Sequence, residues 1–448
     1  MITLNNINLS SIDLSGIDLR GIKLGLGGRG GGSGDGFPQL PGDVTRWHFG
    51  GLTNEMMAAM DDPRIEDADH KGRFLSFKNF AWKEGSGISD VYPGALVFDG
   101  VDDYGVCENS PILTKEKGYT VVALRQWDQD FLNTTLTGGL LSTRNYSTGE
   151  GVAFEKIESS NKAYWNLGAE GIIDFAKSPF TWQTSKQYNN VGILKGDKNH
   201  GKPLCVGCGL SGGQQCGRFA IWELVFLDHD ATEEELNKIK DYFVKTYPWL
   251  FPDQAWTVVG KTNEDEDRAT IANITGNGND LVCLNLGFIE GSGYNEEGEY
   301  AGYLVTDGVD DKITSSTFEM GNDWTVIGDW ELINTGKNNN AGIVKFDSIV
   351  IYNYNPILIN IKNGRNNLIP DQNTVNAICS DGRIYSKDWK ESIYNEETES
   401  TSKNLLTIGY SGNSYTKIAF KNLAIYPTVL SKEDCIKAYN YLQTLKAK

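Results

Sequence analysis

Positive charge is scarce in this chain. Its 448 residues carry 41 Lys and Arg against 59 Asp and Glu, a formal net charge of −18 at pH 7. Such a surface repels phosphate and anionic lipid, so neither nucleic acid nor a membrane surface is an expected partner. Proteins, sugars, neutral or basic ligands and cations remain. Long apolar runs are missing too, and nothing approaches the ~20 residues of a membrane span, so no membrane insertion is expected. The opening MITLNNINLSSIDLSGIDLRG has no basic stretch and no continuous apolar core, so no export signal is expected. Cysteine is sparse and odd in number, at positions 107, 205, 208, 216, 283, 379 and 435. That usage fits a reducing cytosol better than a disulfide framework. The histidines, at 48, 70, 200 and 229, form no H-E-x-x-H or other spaced ligand set.

What is present is a folded composition, 39% hydrophobic and 11% aromatic, in a chain long enough for roughly two to four domains. The pentapeptide DGVDD occurs twice, with its first Asp at 99 and again at 307, 208 residues on. Upstream, Glu84-Gly85-Ser86-Gly87 recurs as Glu290-Gly291-Ser292-Gly293, each after an apolar stretch containing Asn. Downstream, Tyr119-Thr120-Val121-Val122 matches Trp324-Thr325-Val326-Ile327. RFAIWELVFLDHDATEEE from Arg218 pairs without a gap against KIAFKNLAIYPTVLSKED from Lys417. Equivalent strands separated by loops of different length account for the drifting offset. The chain is a duplication.

Each half closes in the same way. Phe219, Ile221, Val225 and Leu227 alternate with Trp222, Leu224 and Phe226, which predicts a strand buried on both faces. Thr232-x-x-Glu235 then forms a capping box, with Leu236, Ile239 and Phe243 on one helix face. In the second half Ser431-x-x-Asp434 takes the cap, above Cys435, Ala438 and Leu442. Before each helix the pattern is short strands rich in Val, Ile and aromatics, punctuated by Gly, Asn and Asp. The fold class is all-β: two tandem antiparallel β-sandwiches, each closing with a short helix, plus a short N-terminal repeat segment. The closing helices are expected at equivalent sheet edges.

The ALVFDGVDDY strand and turn, coupled to IWELVFLD running into a T-x-x-E helix, resembles the laminin-G-like, concanavalin A-like jelly roll. The resemblance covers residues 43 to 252 and again 253 to 448. It implies jelly rolls whose DGVDD turns are equivalent. In those turns Gly100 and Gly308 permit the backbone, while Asp99 and Asp307 bond to backbone N–H groups. It also implies calcium as the one candidate cofactor, with Asp102, Asp103, Asp310 and Asp311 as candidate ligands beside the plainer reading of a solvated acidic turn. Members bind glycans or proteins, hydrolyse glycans, or act as structural modules.

Other motifs dissolve in context. Gly209-Leu210-Ser211-Gly212-Gly213 fits a nucleophile elbow, but a strand follows where a helix is required, so it reads as a hairpin loop. Gly25, Gly27 and Gly30 match G-x-G-x-x-G without a surrounding βαβ unit and belong to a linker. Cys205, Cys208 and Cys216 offer three zinc ligands and no fourth, which favours plain thiols. Trp82, Trp165, Trp182, Trp330 and Trp389 are candidates for stacking on sugars, although most tryptophans should be core. The E-x-D-x-x-E run of the hydrolases is absent, and Glu223 to Asp228 puts apolar residues at its middle. No catalytic residue is assigned, and the chain is expected not to be an enzyme.

The N-terminus carries a strict five-residue period: Ile2 and Leu4, Ile7 and Leu9, Ile12 and Leu14, Ile17 and Leu19, Ile22 and Leu24. It resembles the pentapeptide-repeat β-helix, with Ile where that family favours a small residue. So short a repeat cannot bury its apolar face alone, so a partner or an oligomer is expected. The organisation is therefore residues 1–24 as anchor, 25–42 as Gly-rich linker, and two sandwiches. It resembles a bacteriophage virion protein, a head fibre, capsid decoration or tail fibre. Such a protein is made in the host bacterial cytoplasm, forms a homo-oligomer, contacts other virion proteins through the anchor and binds host-surface glycans. The alternatives are a bacterial carbohydrate-binding or cell-surface protein and a divergent glycan hydrolase.

Overall fold

The apolar run from Arg218 makes the longest strand of the first half, Arg218–Leu227, and its neighbours organise the sheet. The computed structural model describes residues 35–111, 113, 118–143, 153–156, 162–165, 172–174, 179–184, 203–210, 214–333, 341–346, 349–353, 357–361, 365–369, 375–393, 404–410 and 414–447. The periodic anchor, Ile2 to Leu24, and the glycines up to Gly30 lie outside them.

Strand Thr120–Trp127 pairs along one edge of Arg218–Leu227. The other edge is divided between the opening strand Val44–His48 and the strand Leu96–Asp99 that runs into DGVDD. Among the described residues a six-stranded sheet results, facing a ten-stranded one. Between them lies a core of Phe98, Val121, Phe219 and Ile221 from one sheet and Leu75, Phe77, Leu141 and Val206 from the other. Among the described residues the second half repeats the plan with two eight-stranded sheets, one of them built around Ile418–Tyr426, which pairs with Thr325–Leu332, Gln254–Thr257 and Tyr303–Val305. Its core sets Leu304, Val326, Phe420 and Leu423 against Leu281, Ile313, Leu406 and Ile408. All strand pairs named here are antiparallel, and the fold is two tandem β-sandwiches.

The closing strands depart from strict alternation at the same place. In the first half the register steps from Ile221 opposite Arg125 to Glu223 opposite Leu124, leaving Trp222 as the extra residue. In the second it steps from Phe420 opposite Trp330 to Asn422 opposite Asp329, leaving Lys421. Such a bulge turns the chain over by one residue. Phe219 and Ile221 consequently share the inner core with Leu224 and Phe226, not with Val225 and Leu227. Alternation read from sequence put the faces wrongly beyond Trp222 because one inserted residue inverts everything after it.

Both closing helices are capped as the spacing requires. Thr232 and Glu235 complete the capping box of Glu233–Thr246, and the Ser431 hydroxyl accepts from Asp434 N at the start of Lys432–Leu442. Their position differs from the expected sheet edges. Leu236, Ile239 and Phe243 of the first helix and Cys435, Ala438 and Leu442 of the second belong to one buried cluster. That cluster also holds Val122, Leu124, Trp222 and Val225 from the outer face of the first sandwich, and Ala255, Ile327, Ala377 and Ala424 from the second. The helices form a layer between the two sandwiches. The outer sheet faces are too apolar to meet water, and each fully buried large side chain there stabilises the pairing by roughly 1.5–3 kcal/mol. Polar bonds cross the same layer. Tyr441 Oη donates to Gln126 Oε1 at 3.0 Å, and Tyr426 Oη donates to the Trp249 carbonyl at 3.0 Å.

Candidate functional site

The repeated acidic turns are built corners. Asp99 Oδ1 accepts from the N–H groups of Val101 (2.7 Å) and Asp102 (3.3 Å), and Asp307 Oδ1 accepts from Val309 (2.7 Å) and Asp310 (3.3 Å). Gly100 and Gly308 have φ of 76° and 79°. A Cβ at either would come within 2.8 Å of the closing strand, at Arg218 or at Lys417. Glycine is required there for both reasons. Asp103 and Asp311, each fully buried, look inward: their Oδ2 atoms accept from Asp99 N (3.0 Å) and Asp307 N (2.8 Å).

A second stretch completes each corner. Ser86 Oγ accepts from Ala81 N and donates to Asp103 Oδ1, while Ser292 Oγ accepts from Gly287 N and donates to Asp311 Oδ2. Asn79 and Asn285, with φ of 69° and 67°, donate to the carbonyls of Asp102 and Asp310 at 3.0 Å. Asn54 clamps Ile88, and Asn263 clamps Tyr294, each side-chain amide bonding both backbone groups at 2.8 Å. The E-G-S-G repeat pointed to the serines. Asn54 and Asn263 carry no local sequence signal, because their partners lie 34 and 31 residues away.

These geometries decide what the carboxylates serve. The acidic oxygens of Asp99, Asp102 and Asp103 lie within 4.8 Å of one another, as do those of Asp307, Asp310 and Asp311. Yet backbone N–H and serine O–H donors already point at Asp99, Asp103, Asp307 and Asp311. Oδ1 of Asp311 is the one buried oxygen of the two corners left without a donor. Calcium takes six to eight oxygen ligands, and each corner groups three carboxylates, two of which already hold the turn together. Burial pushes the Asp103 carboxyl up to about 7, and burial raises Asp311 in the same direction.

The remaining sequence candidates resolve similarly. Strand Cys208–Leu210 pairs antiparallel with Gln214–Cys216, so the elbow-like motif spans a hairpin whose tip, residues 211 to 213, is outside the described residues. Cys205 and Cys208 form a disulfide, and the five other cysteines are buried thiols. Disulfide sulfurs are not thiolates, so the zinc reading falls, and the expectation of reduced cysteines throughout is corrected at this pair. Trp330 is buried. Trp82 stacks on Phe80 at 4.9 Å, Trp389 meets Tyr439 edge-on at 5.8 Å, and Trp182 packs against the helical layer. The side chain of Trp165 lies outside the described residues.

Sequence reading missed the cleft between the halves. Where the helical layer reaches the surface, a space of about 360 Å³ opens, lined among others by Phe180, Lys240, Phe251, Asp253, Asn277 and Tyr441. These residues come from an edge strand, both helices, the connector after Trp249 and a turn of the second half. Only the tertiary fold brings them together. The wall is pinned: Thr275 Oγ1 and Asn277 Nδ2 donate to the Asp253 carbonyl at 3.1 and 2.8 Å. Burial raises the Asp253 carboxyl above its ordinary value.

Neither a protein-family model nor a curated protein matches the chain. Among solved structures it is similar to Trypanosoma rangeli sialidase in complex with sialic acid, at 8% identity and TM-score 0.32, over 86% of this chain and 68% of that one. It is similar also to the botulinum neurotoxin serotype D binding domain, at 11% identity and TM-score 0.30, over 81% of this chain and 94% of that one. A third is the botulinum neurotoxin type G receptor binding domain, at 12% identity and TM-score 0.28, over 42% and 50%. The expectation that the chain is not an enzyme is corrected, because sialidases stand among its structural neighbours. Absence of one hydrolase family's carboxylate motif excludes only that family's chemistry. Likeness at this level assigns no activity to the chain.

Proposed function

We propose that this chain is a bacteriophage structural protein, a head fibre, capsid decoration or tail fibre, whose two sandwiches form a glycan-binding head for adhesion to the host surface. The observation that carries the binding part is the pinned cleft at the junction of the halves, a usual place for ligand sites. The ten regularly spaced Ile and Leu of residues 2 to 24 support attachment to a particle. They are too many to leave in water and too few to make a core. A Gly-rich stretch from Gly25 to Gly36 separates them from the sandwiches in sequence, and many weak sites on one particle gain avidity. Mass spectrometry of purified particles tests this reading. The full chain should be incorporated and a variant lacking residues 1 to 24 excluded, and normal incorporation of the truncated chain would overturn it.

A second reading, a carbohydrate-binding protein of the bacterial cell surface, is favoured by the Cys205–Cys208 disulfide, since such bonds persist in oxidising compartments. Its head would work in the same way.

A further inference from the structure

We infer that the cleft between the sandwiches is a saccharide site taking an uncharged sugar of one or two rings. The inference rests on the glycan-binding reading above and gives it a place and a ligand class. At about 360 Å³ the space falls at the small end of the range for ligand pockets, about 300–1,000 Å³. Its lining divides by chemistry. Phe180 and Phe251, both half-buried, present ring surface on which the C–H face of a pyranose packs. Asp253, Asn277 and Lys240 supply the polar rim.

The polar groups face the cleft with bonding capacity to spare. The Asp253 backbone carbonyl is occupied by Thr275 and Asn277, which fixes the residue while leaving its carboxylate for a ligand. Among the described residues no cation pairs with that carboxylate. Vicinal sugar hydroxyls satisfy both of its oxygens by donating to them. With Asn277 Nδ2 committed to the connector, its Oδ1 accepts a further hydroxyl, and the exposed ammonium of Lys240 donates to a ring or hydroxyl oxygen. An anionic sugar is disfavoured twice, by Asp253 within the site and by the net charge of −18 around it.

Titration calorimetry of the full chain with neutral and sialylated oligosaccharides chosen from a glycan array tests this, alongside Asp253→Ala and Lys240→Ala. Both side chains keep much of their surface in water, Asp253 being only partly covered by the cleft wall, so the variants should keep the wild-type melting temperature. Neutral sugars should bind, and each substitution should weaken them about tenfold to a hundredfold, the loss expected for hydrogen bonds to a charged group. Unchanged affinity in both folded variants would place the site elsewhere, overturning the inference while the adhesive reading stands. Binding confined to sialylated sugars would overturn the ligand class. Absence of any glycan binding by the wild-type chain would overturn the inference and the adhesive reading together.

Discussion

The hydroxyl of Ser86 donates to the carboxylate of Asp103 at 3.1 Å across 17 residues, and in the second half Ser292 donates to Asp311 at 2.7 Å across 19. Different loop lengths leave the bond intact. The bond ties the E-G-S-G segment to the DGVDD turn, so the two repeated motifs are parts of one corner.

Burial of that corner makes stability depend on pH. The Asp103 carboxyl stands at about 7 in the folded chain against an ordinary 3.8, so the folded state holds more protons across that interval. The group's favourable contribution is therefore complete below about pH 4 and is lost as the pH rises through about 7. Denaturant unfolding at pH 5 and pH 8 should show the wild-type chain losing about 2 kcal/mol more than Asp103→Asn over that interval. Asn keeps an acceptor for Asp99 N and cannot titrate. Equal pH dependence in the two proteins would mean that Asp103 is ionised throughout.

A second prediction separates the halves at equivalent positions. Glu223, wholly buried beside the bulge, accepts from Arg46 (3.3 Å), Tyr242 (3.1 Å) and Tyr247 (2.9 Å), and its Oε1 lies 2.8 Å from His48 Nδ1. Asn422, its counterpart, is equally buried, and among the described residues its amide makes no hydrogen bond. Glu223→Ala leaves Arg46 buried with Asp35 as its remaining carboxylate partner and should cost about 3 kcal/mol. Asn422→Ala removes groups that already lack partners and should cost about 1 kcal/mol or less. Comparable losses in the two variants, measured by urea unfolding, would show that the network does not hold the first helix to its sheet.

Much of this architecture was legible in the sequence, and the failures have specific causes. Duplication showed in DGVDD, E-G-S-G and the ungapped closing segments, and the caps at Thr232 and Ser431 followed from local spacing. Face assignment failed at Trp222 because a bulge carries no signature in an apolar run. The Cys205–Cys208 bond went unread because connectivity does not follow from spacing. Helix placement was missed because an apolar outer sheet face reads like any buried strand, whatever covers it. Phe180 and Asp253 lie far apart in the chain, and no local pattern joins them.

That the two sandwiches stand or fall as one body through the shared helical layer is tested most directly by hydrogen exchange in increasing urea on the full chain. Peptides from Arg218–Leu227 and from Ile418–Tyr426 report the two halves separately. With Trp222, Phe243, Tyr441 and Leu442 buried in one cluster, unfolding either half strips cover from the other. Both strands should lose protection in a single coincident transition, and Tyr441→Ala should shift both midpoints downward. Two separated transitions, with only the Ile418–Tyr426 midpoint moving in Tyr441→Ala, would contradict a common core.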